Sequence, residues 1–210
     1  MYNHETNRIY NELLAQKYSF TGGIYFQLGD INHELTGRDG IGGIIEEWFG
    51  IWAEKNNFNV TKQKESQVFP DYYVDSKSLL EIKTFNSKAT PGFDIANFES
   101  YCESVSNTPS RVESDYLIFS YLSVNGKLSI QDIWLKKIWE ISSSSARGAL
   151  KTQIKRDVIY NIRPTTWYSS TQFENFKTKE QFIDALFQTQ KDYVGYDYKD
   201  RYLLNLQRGL

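Results

Sequence analysis

The stretch SDYLIFSYLSV-NG-KLSIQDIWL, residues 114–135, most narrows what this chain can become. Two runs rich in β-branched and aromatic residues flank an Asn-Gly pair, which supplies the left-handed residues of a tight hairpin turn. A sheet must therefore lie at the centre of the fold. Upstream, Ile41, Ile45, Trp48 and Trp52, flanked by Ile44 and Phe49, recur at helical spacing and predict an amphipathic helix from Gly42 to Asn56. Helix and strand signals are mixed along the chain. The expected class is α/β, with a mixed central β-sheet flanked by helices.

The remaining elements follow the same reasoning. Residues 3–17 predict a helix, with Ile9, Tyr10, Leu13 and Leu14 on one side. TGG, LGD and TGRDG between residues 19 and 40 are turn signals, and Asp39 is suited to cap the helix that follows. A strand should start at Phe58–Val60, and residues 93–105 suggest a second helix. SSSSARG (142–148) reads as a loop, residues 150–162 as one irregular strand, and Thr178 with Gln181 as a capping box. The closing GYDYKDRYLLNLQRGL has no clear period. No repeat and no long linker divides the chain, so its 210 residues are expected to form one domain.

Composition excludes several classes of function. Two histidines and one cysteine, His4, His33 and Cys102, are too few for a thiolate or imidazole zinc site of the usual kind. A lone cysteine rules out an internal disulfide and fits a reducing compartment. The polar start MYNHETNRIYNELL and the lack of any apolar run near 18 residues predict a cytoplasmic protein with no membrane span. There is no G-x-S-x-G and no P-loop. A formal charge of −2 gives no global attraction to nucleic acid, though a local basic surface remains possible.

The chemistry concentrates in PDYYVDSKSLLEIK, residues 70–83. Tyr72–Val74 and Leu79–Ile82 read as two strands joined by a turn near Asp75–Lys77. Alternate side chains of a strand share a face, so Glu81 and Lys83 are neighbours while Ile82 points into the core. If the strands pair through that turn, Asp71 lies near Glu81. Two carboxylates side by side repel unless a cation neutralises them, and hard oxygen ligands favour Mg²⁺. Such a site suits phosphodiester hydrolysis, with Lys83 orienting water or stabilising charge on the phosphate. In the preceding helix, about 100° per residue places Glu46 opposite the apolar stripe and Glu47 on its flank. Either could face a cleft beside the sheet.

The order GGIIEEWFGIWAEKNNFNV, then PDYYVDSKSLLEIK, resembles the core of the PD-(D/E)XK nuclease superfamily. Gly42 and Glu46 are similar to its helical glycine and glutamate, Asp71 to its PD aspartate, and Glu81 and Lys83 to its last motif. The resemblance implies catalytic residues Asp71, Glu81, Lys83 and Glu46, with Mg²⁺ held by Asp71, Glu81 and Glu46; Glu47 stays a rival for the helical carboxylate.

Downstream, KRDVIYNIRPTTWYSS sets Lys155, Arg156, Asn161 and Arg163 among aromatic residues. Arginine and asparagine suit base edges, and lysine suits phosphates. Arg38, in the loop before the helix, is a further candidate for DNA contact. Together these features look like a small type II restriction endonuclease. The core would span about residues 38–135, with recognition and dimerisation elements in 90–112 and 140–210. The expected enzyme cuts double-stranded DNA at a short specific site and leaves 5′-phosphates. A homodimer follows from the two-fold symmetry of such targets, and a separate DNA methyltransferase is the implied functional partner. Two other readings remain open: a structure-specific nuclease of junction-resolving or repair type, and an inactive DNA-binding module.

Overall fold

The computed structural model describes residues 1–34, 40–65 and 68–210. The chain begins with α1 (His4–Gln16), β1 (Thr21–Gly23), β2 (Tyr25–Leu28), β3 (Ile31–Glu34) and α2 (Ile41–Lys55). Strands β4 (Val60–Lys62), β5 (Tyr72–Val74) and β6 (Ser78–Asn86) come next. They lead to β7 (Ala96–Asn97), α3 (Phe98–Asn107), β8 (Asp115–Val124) and β9 (Lys127–Lys137). The chain closes with β10 (Thr152–Lys155), β11 (Val158–Ile162), α4 (Lys179–Val194) and α5 (Lys199–Gln207). These elements form two compact units, Met1–Thr90 with Asp115–Leu135, and Pro91–Ser114 with Lys136–Leu210.

The first unit is built on a six-stranded sheet in the order β1-β9-β8-β6-β5-β4. Strand β6 pairs parallel with β8 and antiparallel with β5, so the sheet is mixed as the sequence predicts. Asn125 and Gly126 adopt φ of 50° and 78°, the left-handed pair that the Asn-Gly turn requires. Helices α1 and α2 supply Ile9, Leu13, Ile45 and Phe49 to a core completed by Tyr72, Leu80, Ile82 and Phe119. Full burial of each such side chain contributes about 1.5–3 kcal/mol. Asn3 starts α1 by accepting the Thr6 amide at 2.9 Å. Residues 21–34 were expected as turns but hold three short strands, β2 and β3 forming a hairpin of their own. Arg38 and Asp39 lie outside the described residues.

The second unit pairs a three-stranded sheet, β10-β11-β7, with α3, α4 and α5. Three sequence expectations need correction here. The helix expected from residue 93 begins at Phe98, because Asn97 accepts the Ser100 amide and so fixes the first turn. Residues 150–162 are a hairpin instead of one strand. Its turn places Arg156 and Asp157 at φ of 52° and 62° without glycine, so no turn signal stands in the sequence. The closing segment contains α5, whose period is blurred because Tyr202 alone is buried while Leu203, Leu204 and Leu206 stay exposed. At α4 half of the expected capping box forms: Thr178 accepts the Gln181 amide, whereas the Gln181 side chain accepts the amide of Lys177, one residue before the cap.

Candidate active site

The β5–β6 hairpin carries the site. Asp75 and Ser76 turn the chain with φ of 49° and 60°, and pairing of Tyr72 with Leu80 sets the register. That register brings Asp71, just before β5, beside Glu81. The Asp71 amide reaches Glu81 Oε2 at 3.3 Å, and the Ile82 amide donates to Asp71 Oδ2 at 2.7 Å. Lys83 Nζ donates to Glu81 Oε1 at 2.8 Å. Glu81 and Lys83 stand on β6, which pairs with β8 from Leu80 to Asn86, and the Ile82 amide holds Asp71 beside them.

Burial gives these charges unusual properties. Glu81 is 7% exposed. Asp71 is pushed up to about 7, first by burial and then by the Glu81 carboxylate, with Glu46 adding to both; Lys83 and the Ile82 amide pull the other way. For Lys83, burial works against the charge, but Glu81, Asp71 and Glu46 outweigh it and raise its pKa. The pair of carboxylates is thus short of positive charge, with one ammonium serving two anions.

Helix α2 is seated against the hairpin by two glycines. A side-chain carbon on Gly50 would stand 2.7 Å from the Tyr72 hydroxyl, and one on Gly42 would stand 3.1 Å from Thr84 Oγ1. Through the first gap the Tyr72 hydroxyl donates to the Glu46 carbonyl at 2.8 Å. Tyr72 therefore ties the helix to the residue next to Asp71, a positioning role that its strand pattern conceals, because a buried strand tyrosine looks like any core residue.

Glu46 is close enough to act on Asp71 and Lys83, yet its carboxylate pairs with Lys62 Nζ at 3.3 Å. Its side chain is 29% exposed against 74% for Glu47, so Glu46 is the inward-facing carboxylate despite its place opposite the apolar stripe. Lys62, on β4 beside Tyr72, was not singled out by the sequence because nothing in its pattern marks it. Among the described residues, no group of three His, Cys, Asp or Glu side chains stands ready to hold a metal ion. Asp71 and Glu81 nonetheless fit Mg²⁺, which takes one or two carboxylates and keeps several waters. Their mutual repulsion is what such an ion relieves.

The candidate DNA-contacting residues divide. Lys155, Arg156 and Asn161 lie on the β10–β11 hairpin, with Lys155 Nζ 5.4 Å from the centre of the Tyr160 ring. Asn161 Nδ2 donates to Gln153 Oε1 at 3.3 Å. Arg163 is instead held by Asp94 in an ion pair. Arg38 lies outside the described residues.

A buried acid–acid–lysine cluster on a mixed sheet is what the nuclease resemblance implies, and comparison with known proteins decides the family. The NgoBV restriction endonuclease family matches residues 3–201. This chain belongs to that family. It is 37% identical over 191 residues to the type II restriction enzyme NlaIV of Neisseria lactamica, covering 87% of this chain and 79% of that enzyme. Identity to the type II restriction enzyme NgoBV of Neisseria gonorrhoeae is 34% over 155 residues, covering 71% and 89% of the two chains. The solved NlaIV restriction endonuclease superposes with a TM-score of 0.85 at 34% identity, over 93% of this chain and 85% of that one. The expected type II restriction endonuclease, a site-specific deoxyribonuclease, is borne out.

Proposed function

We propose that the chain is a Mg²⁺-dependent homodimer whose Asp71, Glu81 and Lys83 hydrolyse one phosphodiester bond in each strand of a short double-stranded DNA site. The contact of Lys83 with Glu81, beside the paired Asp71, carries this reading. Asp71 and Glu81 would hold the ion, with Glu46 as a further carboxylate once it leaves Lys62. Bound there, Mg²⁺ supplies Lewis acidity to the scissile phosphate. Lys83 presents its ammonium to the phosphate oxygens and offsets the charge that grows as water adds to phosphorus. The P–O3′ bond breaks, the 3′ oxygen takes a proton, and the products are a 3′-hydroxyl and a 5′-phosphate.

The division of labour follows the two units. The first holds the cleavage residues, and the second holds the Lys155–Arg156 hairpin, which we assign to target contact together with Asn161. Arg163, clamped by Asp94, serves the fold of this region more than the DNA. The reading extends to a cytoplasmic enzyme working beside a separate methyltransferase. Among the described residues, no helix is long and apolar enough to cross a membrane.

The test is cleavage of a long phage DNA in Mg²⁺, with EDTA and Lys83→Ala as controls. Discrete bands that vanish in both controls, with ends carrying 5′-phosphate, are expected. A smear, cleavage of four-way junctions alone, or DNA retention without cutting would overturn the reading.

A further inference from the structure

The β2–β3 hairpin is two-faced. Its register pairs Phe26 with His33 and Leu28 with Ile31, so these four side chains share one face. Tyr25, Gln27, Asn32 and Glu34 share the other. The apolar face is uncovered: Phe26, Leu28 and Ile31 are 48%, 68% and 66% exposed. A two-stranded hairpin is marginal in water by itself, and an amphipathic one gains its stability when the apolar face is buried.

We infer that this face docks against the same face of a second copy of the chain, and that it forms the dimer contact. The inference rests on the homodimer reading above and names the surface that makes it. Residues 25–34 contain no lysine or arginine but do contain Asp30 and Glu34, so the hairpin repels phosphates and is not a DNA surface. The apolar face itself bears no acid or fixed cation, so two copies meet without like-charge repulsion. An isologous contact of this kind closes on itself, as a two-fold target demands. At about 150–250 Å² for a large side chain, the three exposed fractions leave on the order of 350 Å² per copy. Two copies bury roughly 700 Å², and the remainder of the ~1,200 Å² of a specific pair has to come from the surroundings. The segment leading into the hairpin contributes part of it, because Phe20 and Ile24 line an apolar cleft of about 270 Å³ with Ile44, Trp48 and Leu128. This places the contact outside residues 90–112 and 140–210, where the sequence alone puts it.

The test is sedimentation of the full chain, alone and with its target duplex, together with plasmid cleavage. Leu28→Asp with Ile31→Asp is the probe, its fold checked by thermal melting. Leu203→Asp with Leu206→Asp, on the exposed leucines of α5, is the control. The wild type and control should sediment at twice the 24.6 kDa of one chain. The hairpin variant should weaken dimerisation at least ~100-fold and nick plasmid in place of cutting both strands. A hairpin variant as dimeric as the wild type would overturn the surface and leave the homodimer standing. A wild type that stays monomeric on its target would overturn both.

Discussion

Lys83 and Lys155 carry the same ammonium into opposite surroundings. The Lys83 side chain is 18% exposed, fixed 2.8 Å from Glu81 on an inner strand, and beside a second carboxylate. Lys155 is exposed at a hairpin end and rests over the Tyr160 ring. Water screens the second charge and barely reaches the first, so the two should differ in the kind of work they do as well as in its size. A buried, pre-positioned charge acts on the chemical step. An exposed one acts on association.

The sharpest break between them is Lys83→Ala. It should lower the single-turnover cleavage rate by at least ~10³-fold while leaving DNA affinity within a few-fold. Gel analysis of a mapped target checks the first, and filter binding in EDTA the second.

Asp71→Asn comes next, with an effect visible even without DNA. The folded pKa of about 7 lies above the ordinary 3.8, so between those values the native state holds a proton the unfolded state has lost. Stability of the metal-free protein should therefore fall as pH rises through that window and level off above it. Asn cannot ionise and still accepts the Ile82 amide. The variant should escape the fall and be more stable at pH 8 by at most ~4 kcal/mol, while cleaving nothing. Chemical denaturation in EDTA at pH 5 and pH 8 reads this directly.

Glu46→Gln should cost about 10–100-fold in cleavage and raise the Mg²⁺ needed for half-maximal rate, since Glu46 stands beside the cluster and not within it. A Mg²⁺ titration of the rate separates this from a loss of fold. Smallest of all, Arg156→Ala should weaken target binding by about 1 kcal/mol, reduce the salt slope by about one ion, and leave the bound cleavage rate unchanged. Binding at several salt concentrations checks it.

The site was more legible than its surroundings for a physical reason. Strand alternation and a short turn fix Asp71, Glu81 and Lys83 from local rules alone, so the sequence suffices to bring them together. Glu46 depends on how α2 docks, which is set by Gly42, Gly50 and Tyr72 through contacts far apart in the chain. The helical wheel, which knows only the apolar stripe, left Glu46 and Glu47 as rivals. The β10–β11 hairpin was hidden because an Arg-Asp turn carries no glycine, and the pairing of Arg163 with Asp94 spans 69 residues. The exposed face of β2–β3 went unread because glycines and short strands look like turns. Local patterns give chemistry here, and long-range packing decides which charges are free to use it.

The most direct measurement is single-turnover cleavage of one mapped duplex, with affinity measured in parallel, for the wild type, Lys83→Ala and Arg156→Ala. Lys83→Ala should lose the chemical step and keep binding, while Arg156→Ala should keep the step and bind about fivefold more weakly. Cleavage by Lys83→Ala within tenfold of the wild type would contradict the account, because the buried cluster would then not be the centre that cuts DNA.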